Sequence, residues 1–197
     1  MIAGRPVFSV NPPRYDFTYP GATHGFRFSG QQRNILTVQQ MELDGQGVLK
    51  GVVRLLKKKQ EMMLYVDTYF HPQQLNSSYY GAGFSPKIYP GQTMQARLFL
   101  PVDGPETILA SLFVHDSHHN EDHSGQSIRL IPGQWQTLRW TIPAMQDACF
   151  SQAGISFRNL GAETWKGLFF LDYLDWSGQP CFSQVFPNVR KENDAAE

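Results

Sequence analysis

The segment from His115 to His123 holds the densest cluster of reactive side chains, with four imidazoles and three carboxylates in nine residues. Neutral imidazole is the commonest protein ligand for metals, and zinc takes three or four donors in tetrahedral geometry. One interpretation is a metal site formed by His118, His119 and His123. The other is a solvated hairpin loop, because the segment joins two predicted strands and lacks the helical glutamate of zinc proteases. The spacing favours the loop, which we expect to be long and mobile.

A second group of residues has the composition of a site for a small ring-shaped molecule such as a sugar. Such sites combine apolar or aromatic walls with a few polar groups that fix orientation. Tyr79 and Tyr80 lie in a long, Gly-rich predicted loop, and Trp165 lies in a later predicted loop. We predict that these three rings contact a sugar. The alternative is that they only cap the ends of the folded core.

Two arginines supply a further candidate for hydrogen bonding. Arg97 and Arg139 fall on the polar sides of two alternating strands, as does Gln95. If those sides form a binding face, they provide a hydrogen-bonding floor that suits an acidic sugar. The alternative, which the pattern favours, is ordinary solvated sheet surface.

No arrangement typical of catalysis is found in the sequence. Glycoside hydrolysis needs two carboxylates that face each other across a bond, whereas Asp172 and Asp175 lie on one predicted strand. No Ser elbow and no phosphate loop are present. Cys149 and Cys181 suggest no Cys/His pair, and they form one disulfide or none. We therefore expect a protein without catalytic activity of its own.

Length and charge limit the classes of function. The chain has 197 residues, 41% hydrophobic and 17% charged, with 17 basic and 17 acidic side chains. This balance gives no basic field for nucleic acid or an anionic membrane. No signal-peptide core and no apolar run long enough to span a membrane are present, so we expect a soluble chain. The sequence does not indicate a cellular localisation.

Short apolar runs bounded by turn residues predict an all-β fold, an antiparallel sandwich. Residues 1–25 are rich in proline and predict an irregular arm along the domain edge, residues 26–180 the sandwich, and residues 181–197 a tail or linker. Val48 to Leu56 also fits a helical stripe, but strand-like neighbours favour a hairpin. Predicted strands are Ile35–Leu43, Val48–Leu56, Met62–Phe70, Met94–Leu100, Ile108–His115, Ile128–Leu130, Leu138–Ile142, Ile155–Phe157 and Leu168–Trp176.

The second half of the chain resembles the galactose-binding-like jelly-roll domains, many of which are carbohydrate-binding modules of glycoside hydrolases. The ordered motifs that carry this resemblance are Pro90-Gly91-Gln92, Pro132-Gly133-Gln134-Trp135, Leu138–Pro143, Ala153–Phe157 and Gly167–Trp176. The resemblance implies a jelly-roll sandwich that holds a sugar on one face or at a loop edge. It also implies a structural calcium ion with Asp172 as a ligand, and Asp16 or Asp44 is the candidate second carboxylate.

Three hypotheses follow. The first is a noncatalytic carbohydrate-binding module that binds a glycan and is accessory to a catalytic domain outside this chain. The second is a structural or interdomain interaction module that uses its aromatic residues as an interface. The third is a small metal-dependent jelly-roll enzyme that takes its ligands from residues 115–123. A contiguous apolar patch on one sheet would favour the second hypothesis, and a polar and aromatic face would favour the first.

Overall fold

The computed structural model describes residues 14–29, 36–68, 87–146 and 148–181, and the regular structure within these ranges is entirely β-strand. None of these residues belong to a helix that is long and apolar enough to cross a membrane. The predicted all-β class is therefore confirmed. The strands are β1 Tyr15–Asp16, β2 Arg27–Ser29, β3 Leu36–Leu43, β4 Gln46–Leu56, β5 Glu61–Asp67, β6 Thr93–Phe99, β7 Ile108–Asp116, β8 Glu121–Ser124, β9 Ile128–Arg129, β10 Trp135–Thr141, β11 Phe150–Asn159 and β12 Trp165–Ser177.

The strands form two antiparallel sheets of six strands each. Sheet A has the order β10-β6-β12-β4-β3, with β1 paired to β12, and sheet B has the order β2-β5-β11-β7-β8, with β9 paired to β7. Most neighbours are not consecutive in sequence, so the chain crosses repeatedly between the sheets. This arrangement confirms the predicted antiparallel sandwich.

Alternation of apolar and polar residues places the core between the two sheets. In β5, every second residue from Met62 to Val66 is buried, while the residues between them face outward. The inward residues of β6, β7 and β11 join the same core, as do Phe169, Leu171 and Trp176 of β12. The side chains that alternate with this core form the two outer faces of the sandwich.

Val48–Leu56 lies within the strand β4, so the helical alternative is wrong, but the favoured hairpin with Met62–Phe70 is wrong too, because β4 lies in sheet A and β5 in sheet B. Asp44 and Gly45 have φ angles of 51° and 78°, which a two-residue type I′ hairpin turn requires. This turn joins β3 to β4, and residues 57–60 then lead into β5. The β-branched and aromatic residues on both sides decide in favour of strand.

Two local expectations need correction. Part of the predicted irregular arm is a strand, because Tyr15 and Asp16 pair with β12, and Phe17 lies fully in the core instead of along its edge. The predicted long loop from His115 to His123 is instead a tight connection, since β7 runs to Asp116 and β8 begins at Glu121. Cys149 and Cys181 do not form a disulfide.

Candidate functional site

The outer face of sheet B combines aromatic, hydroxyl, amide and charged side chains on five neighbouring strands. Its outward positions follow from register, because the residues that alternate with them lie in the core. We call this surface the sheet B face. One row across it contains Arg27, Tyr65, Gly154, Phe113 and Ser124, and the next contains Asp67, Gln152, His115 and Asp122.

The centre of the first row is a glycine on the central strand. A Cβ atom at Gly154 would collide with the backbone of β5, at the Leu64 carbonyl oxygen and 2.7 Å from the Tyr65 Cα. No side chain can therefore project at this position. The floor of the face, Gly154 and Phe113, is buried, and Phe113 at 1% exposed offers no open ring surface, whereas Tyr65 beside this floor is half-buried.

Two ion pairs lie at opposite sides of this floor. Arg27 of β2 pairs with Asp67 of β5, and His115 Nδ1 of β7 lies 2.8 Å from Asp122 Oδ1 of β8. Both pairs are partly open to solvent. Neighbouring polar groups with fixed positions are what a binding face needs to orient hydroxyl groups.

The next two rows of the sheet B face combine polar residues with Met63 and Leu109. Ser111 and Ser156 sit opposite each other and are nearly buried, and the Ser156 hydroxyl donates to Glu61. Among the described residues the charges of this face balance: its cations are Arg27, Arg129 and Arg158, and its carboxylates are Glu61, Asp67 and Asp122. Such a surface has no net preference for an anion or a cation.

The outer face of sheet A is different, because its centre is apolar. Val48, Phe99 and Phe170 pack together, and four partly buried side chains, Met41, Leu43, Trp135 and Leu168, pack against them. We call these seven residues the sheet A apolar cluster. The Phe99 ring lies 5.3 Å from the Trp135 ring and 6.2 Å from the Phe170 ring, centre to centre. Contiguous aromatic groups of this kind are more typical of protein contacts than of solvated sheet.

Arg97 lies beside this cluster, but it is not part of an open floor. It is 6% exposed, its Nη1 lies 3.0 Å from Asp172 Oδ2, and its guanidinium stacks over Trp135. Its charge is thus matched by an internal carboxylate, and the predicted floor for an acidic sugar is wrong at this residue. Arg139 is exposed on the same face, opposite Gln95, and its sugar contact stays a prediction.

The surroundings of Asp172 do not fit the implied calcium ion. Calcium takes six to eight oxygen ligands. The described neighbour of the Asp172 carboxylate is instead the cation Arg97. Asp44 lies in the β3–β4 turn, and Asp16, which pairs in register with Tyr173, accepts a hydrogen bond from the Thr18 N–H. We therefore assign no role to calcium.

Of the three predicted aromatic contacts, one is placed by the structure. Trp165 does not lie in a loop: it is the first residue of β12, it is 3% exposed, and its ring packs within the core beside Phe157. A ring this deeply buried offers no face to a sugar, so this prediction is wrong. Tyr79 and Tyr80 lie outside the described residues.

The predicted histidine metal site does not assemble. The rings of His118 and His119 lie 4.6 Å apart, centre to centre, with their planes inclined by 46° in the β7–β8 turn, whereas His123 lies on β8 near Phe150. Within the described ranges, no three His, Cys, Asp or Glu side chains are grouped so that they could hold a metal. The third hypothesis therefore loses its source of ligands.

Asp116 explains why this segment is ordered. Its carboxylate is 1% exposed and accepts hydrogen bonds from the N–H groups of His118 and Cys149, at 2.9 and 3.0 Å. His119 Nδ1 lies 2.6 Å from its other oxygen. Burial opposes the charged form, but these hydrogen bonds outweigh burial and lower the pKa of Asp116. These hydrogen bonds to Asp116 therefore stabilise the β7–β8 turn.

Sequence reasoning missed the residues that make the two outer faces distinct. Phe99 has the same alternation parity as Arg97, and Trp135 the same as Arg139, which could have placed both rings on the outer face of sheet A. Tyr65 alternates with the buried residues of β5 in the same way. Alternation along a strand shows which face a residue lies on, but it does not show which residues of neighbouring strands lie side by side on that face.

Comparisons with known proteins agree with this fold. No protein-family model matches the chain. No curated protein matches it in sequence. A solved structure that addresses the promiscuous specificity of carbohydrate-binding modules from the β-sandwich superfamily is 19% identical, with a TM-score of 0.58 over 84% of this chain and 62% of that one.

Two further structures show the same likeness. The module CBM28, specific for non-crystalline cellulose, is 11% identical, with a TM-score of 0.56 over 90% of this chain and 98% of that one. The CBM22-1 and GH10 modules of a Clostridium thermocellum endo-1,4-β-D-xylanase, complexed with xylohexaose, are 13% identical, with a TM-score of 0.53 over 86% of this chain. The chain spans 62% and 29% of the first and third structures. At such identities the likeness shows the fold, a β-sandwich like those of carbohydrate-binding modules.

Proposed function

We propose that this chain is a noncatalytic carbohydrate-binding module that holds a neutral glycan on the sheet B face, accessory to a catalytic domain. The observation that carries the proposal is the charge-balanced, polar and aromatic surface around Tyr65 and the side-chain-free position at Gly154. Five strands at ordinary spacing make this face about 19 Å wide, enough for several sugar units. The fold shared with carbohydrate-binding modules supports the same function.

Binding in this proposal needs no bond to break. Tyr65 offers an aromatic surface to the apolar side of a sugar ring, while Gln152 and the Arg27–Asp67 and His115–Asp122 pairs orient its hydroxyl groups. An equal number of cations and carboxylates suits a ligand without charge. This replaces the acidic sugar that Arg97 and Arg139 suggested.

Affinity electrophoresis and calorimetry on soluble xylan, mixed-linkage glucan and regenerated cellulose would test the proposal. We expect Tyr65→Ala to weaken binding about tenfold, the loss typical of a central aromatic contact. Tyr19→Ala is the matched control, since Tyr19 is 73% exposed in the β1–β2 connection and off the sheet B face. A folded chain that binds none of these glycans would contradict the proposal.

The sheet A apolar cluster supports a second candidate, an interdomain interaction module. Its aromatic residues are of the types enriched at protein interfaces. Trp135→Ala separates the two candidates. If this variant abolishes glycan binding and Tyr65→Ala does not, the binding surface lies on sheet A. If it leaves glycan binding intact, the cluster is free to serve as an interface.

A further inference from the structure

The edges of the two sheets are not equally protected against pairing with another strand. Natural sheets guard their edges with short strands, prolines, charges or bulges. In sheet B, β2 has three residues, and β8 and β9 have four and two. In sheet A, β10 lies between Pro132 and Pro143 and carries the exposed Arg139. Each of these edges therefore has a feature that hinders pairing with another strand.

The remaining edge, β3, has none of these four features, and its described contact with the β1–β2 connection runs through the Gln40 side chain, which donates to the Phe17 carbonyl and accepts from the Gly21 N–H. It is eight residues long, with the sequence L-T-V-Q-Q-M-E-L, and among the described strands it pairs only with β4. It contains no proline and no basic residue, and its pairing with β4 runs without a bulge. Its one charge, Glu42, stands next to the hairpin turn. Among the described elements, β3 is thus the long edge open to strand addition.

The hairpin geometry identifies which backbone groups are open. A two-residue type I′ loop closes on a hydrogen-bonded pair, here Leu43 and Gln46. Hydrogen-bonded and open pairs then alternate along the ladder. The N–H and C=O groups of Leu36, Val38, Gln40 and Glu42 consequently point away from β4, into the space beside the edge.

We propose that a second copy of this chain pairs antiparallel along β3, about a two-fold axis at Gln39, and joins two copies of sheet A into one. In this register Val38 meets the partner's Gln40, and Leu36 meets the partner's Glu42, so every open group along the edge gains a partner. The two Glu42 side chains lie about 20 Å apart, so no like charges face each other. Met41 extends the sheet A apolar cluster to this junction.

Gln39 is the residue that tests this register. It is exposed on the outer face, and in the dimer it stands directly opposite the partner's Gln39. Gln39→Lys opposes two cations in the dimer and also faces Lys50 of β4 within each copy, whereas Gln39→Glu opposes two carboxylates and gains Lys50 as a cross-strand partner. We expect each variant to raise the dimer Kd about fivefold or more. An equimolar mixture of the two variants should regain the dimer, because Lys then faces Glu.

Sedimentation velocity of the whole chain over a range of concentrations measures these constants. Gln134→Lys is the control, because it adds the same charge at an exposed position near the other edge of sheet A. Hydrogen exchange supplies a local readout: the amides of Val38 and Gln40 should become protected as concentration rises. A wild-type chain that stays monomeric at the highest concentration reached overturns the proposal. So does a dimer that Gln39→Lys weakens no more than Gln134→Lys.

Discussion

The guanidinium of Arg97 lies 3.0 Å from the carboxylate of Asp172, and both side chains are almost completely buried on the outer side of sheet A. A buried pair contributes little net stability, but removal of one partner leaves an uncompensated charge. We expect Asp172→Asn to lower the free energy of unfolding by about 3–5 kcal/mol, measured by urea denaturation. Asp175→Asn, at an exposed pair with Arg14, should cost at most about 1 kcal/mol.

A double variant separates charge burial from packing. Arg97→Met with Asp172→Leu removes both charges and keeps apolar volume, so it should recover most of the stability that Asp172→Asn loses. Equal losses in Asp172→Asn and Asp175→Asn would show that the buried pair has no special role.

A second prediction concerns Gly154 on the central strand of sheet B. Its Cβ position is occupied by β5 backbone, which cannot move aside as a flexible side chain can. We expect Gly154→Ala to destabilise the chain by about 3 kcal/mol or more. Gly45→Ala is the comparison, because open space surrounds Gly45 and only its φ of 78° opposes a side chain, at about 1 kcal/mol. Thermal unfolding of the two variants should therefore differ clearly.

Much of the fold was predictable because its strands are separated by strong turn signals. Asp44-Gly45 and Pro132-Gly133 mark turns whose backbone few other residues adopt, and the runs between them alternate with period two. The prediction failed at β1, since a two-residue strand among prolines has no periodicity to detect. It also failed at residues 115–123, where the buried Asp116 shortens the loop through contacts distant in sequence.

The candidate site was less predictable, for a physical reason. Alternation shows that Arg97 faces outward, but it does not show that Asp172 on a neighbouring strand neutralises it. Trp165 looked like a loop residue because a turn precedes it, yet β12 begins there and buries the ring. Register between strands distant in sequence decides both outcomes, and a single sequence does not contain it.

A third prediction follows from the lowered pKa of Asp116. Its folded value lies below the usual 3.8, so its contribution to stability is complete above that pH and is lost as pH falls toward the folded value. Asp116→Asn should lower the free energy of unfolding by about 2–3 kcal/mol at neutral pH, because charged hydrogen bonds are lost. The difference between the two proteins should shrink as acid protonates the wild-type carboxylate. Urea titrations between neutral pH and pH 3 would check this, and parallel pH profiles would contradict it.

The last prediction concerns the charge of the glycan. Among the described residues the sheet B face carries three cations and three carboxylates, and Arg27–Asp67 and Arg158–Glu61 place two of each beside an opposite charge, so long-range attraction contributes little to binding. We expect affinity for a neutral glycan to change less than about twofold between about 0.05 and 0.5 M salt, a range over which exposed charges become strongly screened. Polygalacturonate is the matched anionic probe and should bind more weakly than neutral glycans at low salt. Strong binding of polygalacturonate that salt abolishes would instead assign recognition to exposed cations such as Arg139 on sheet A, and Arg139→Gln would then remove it.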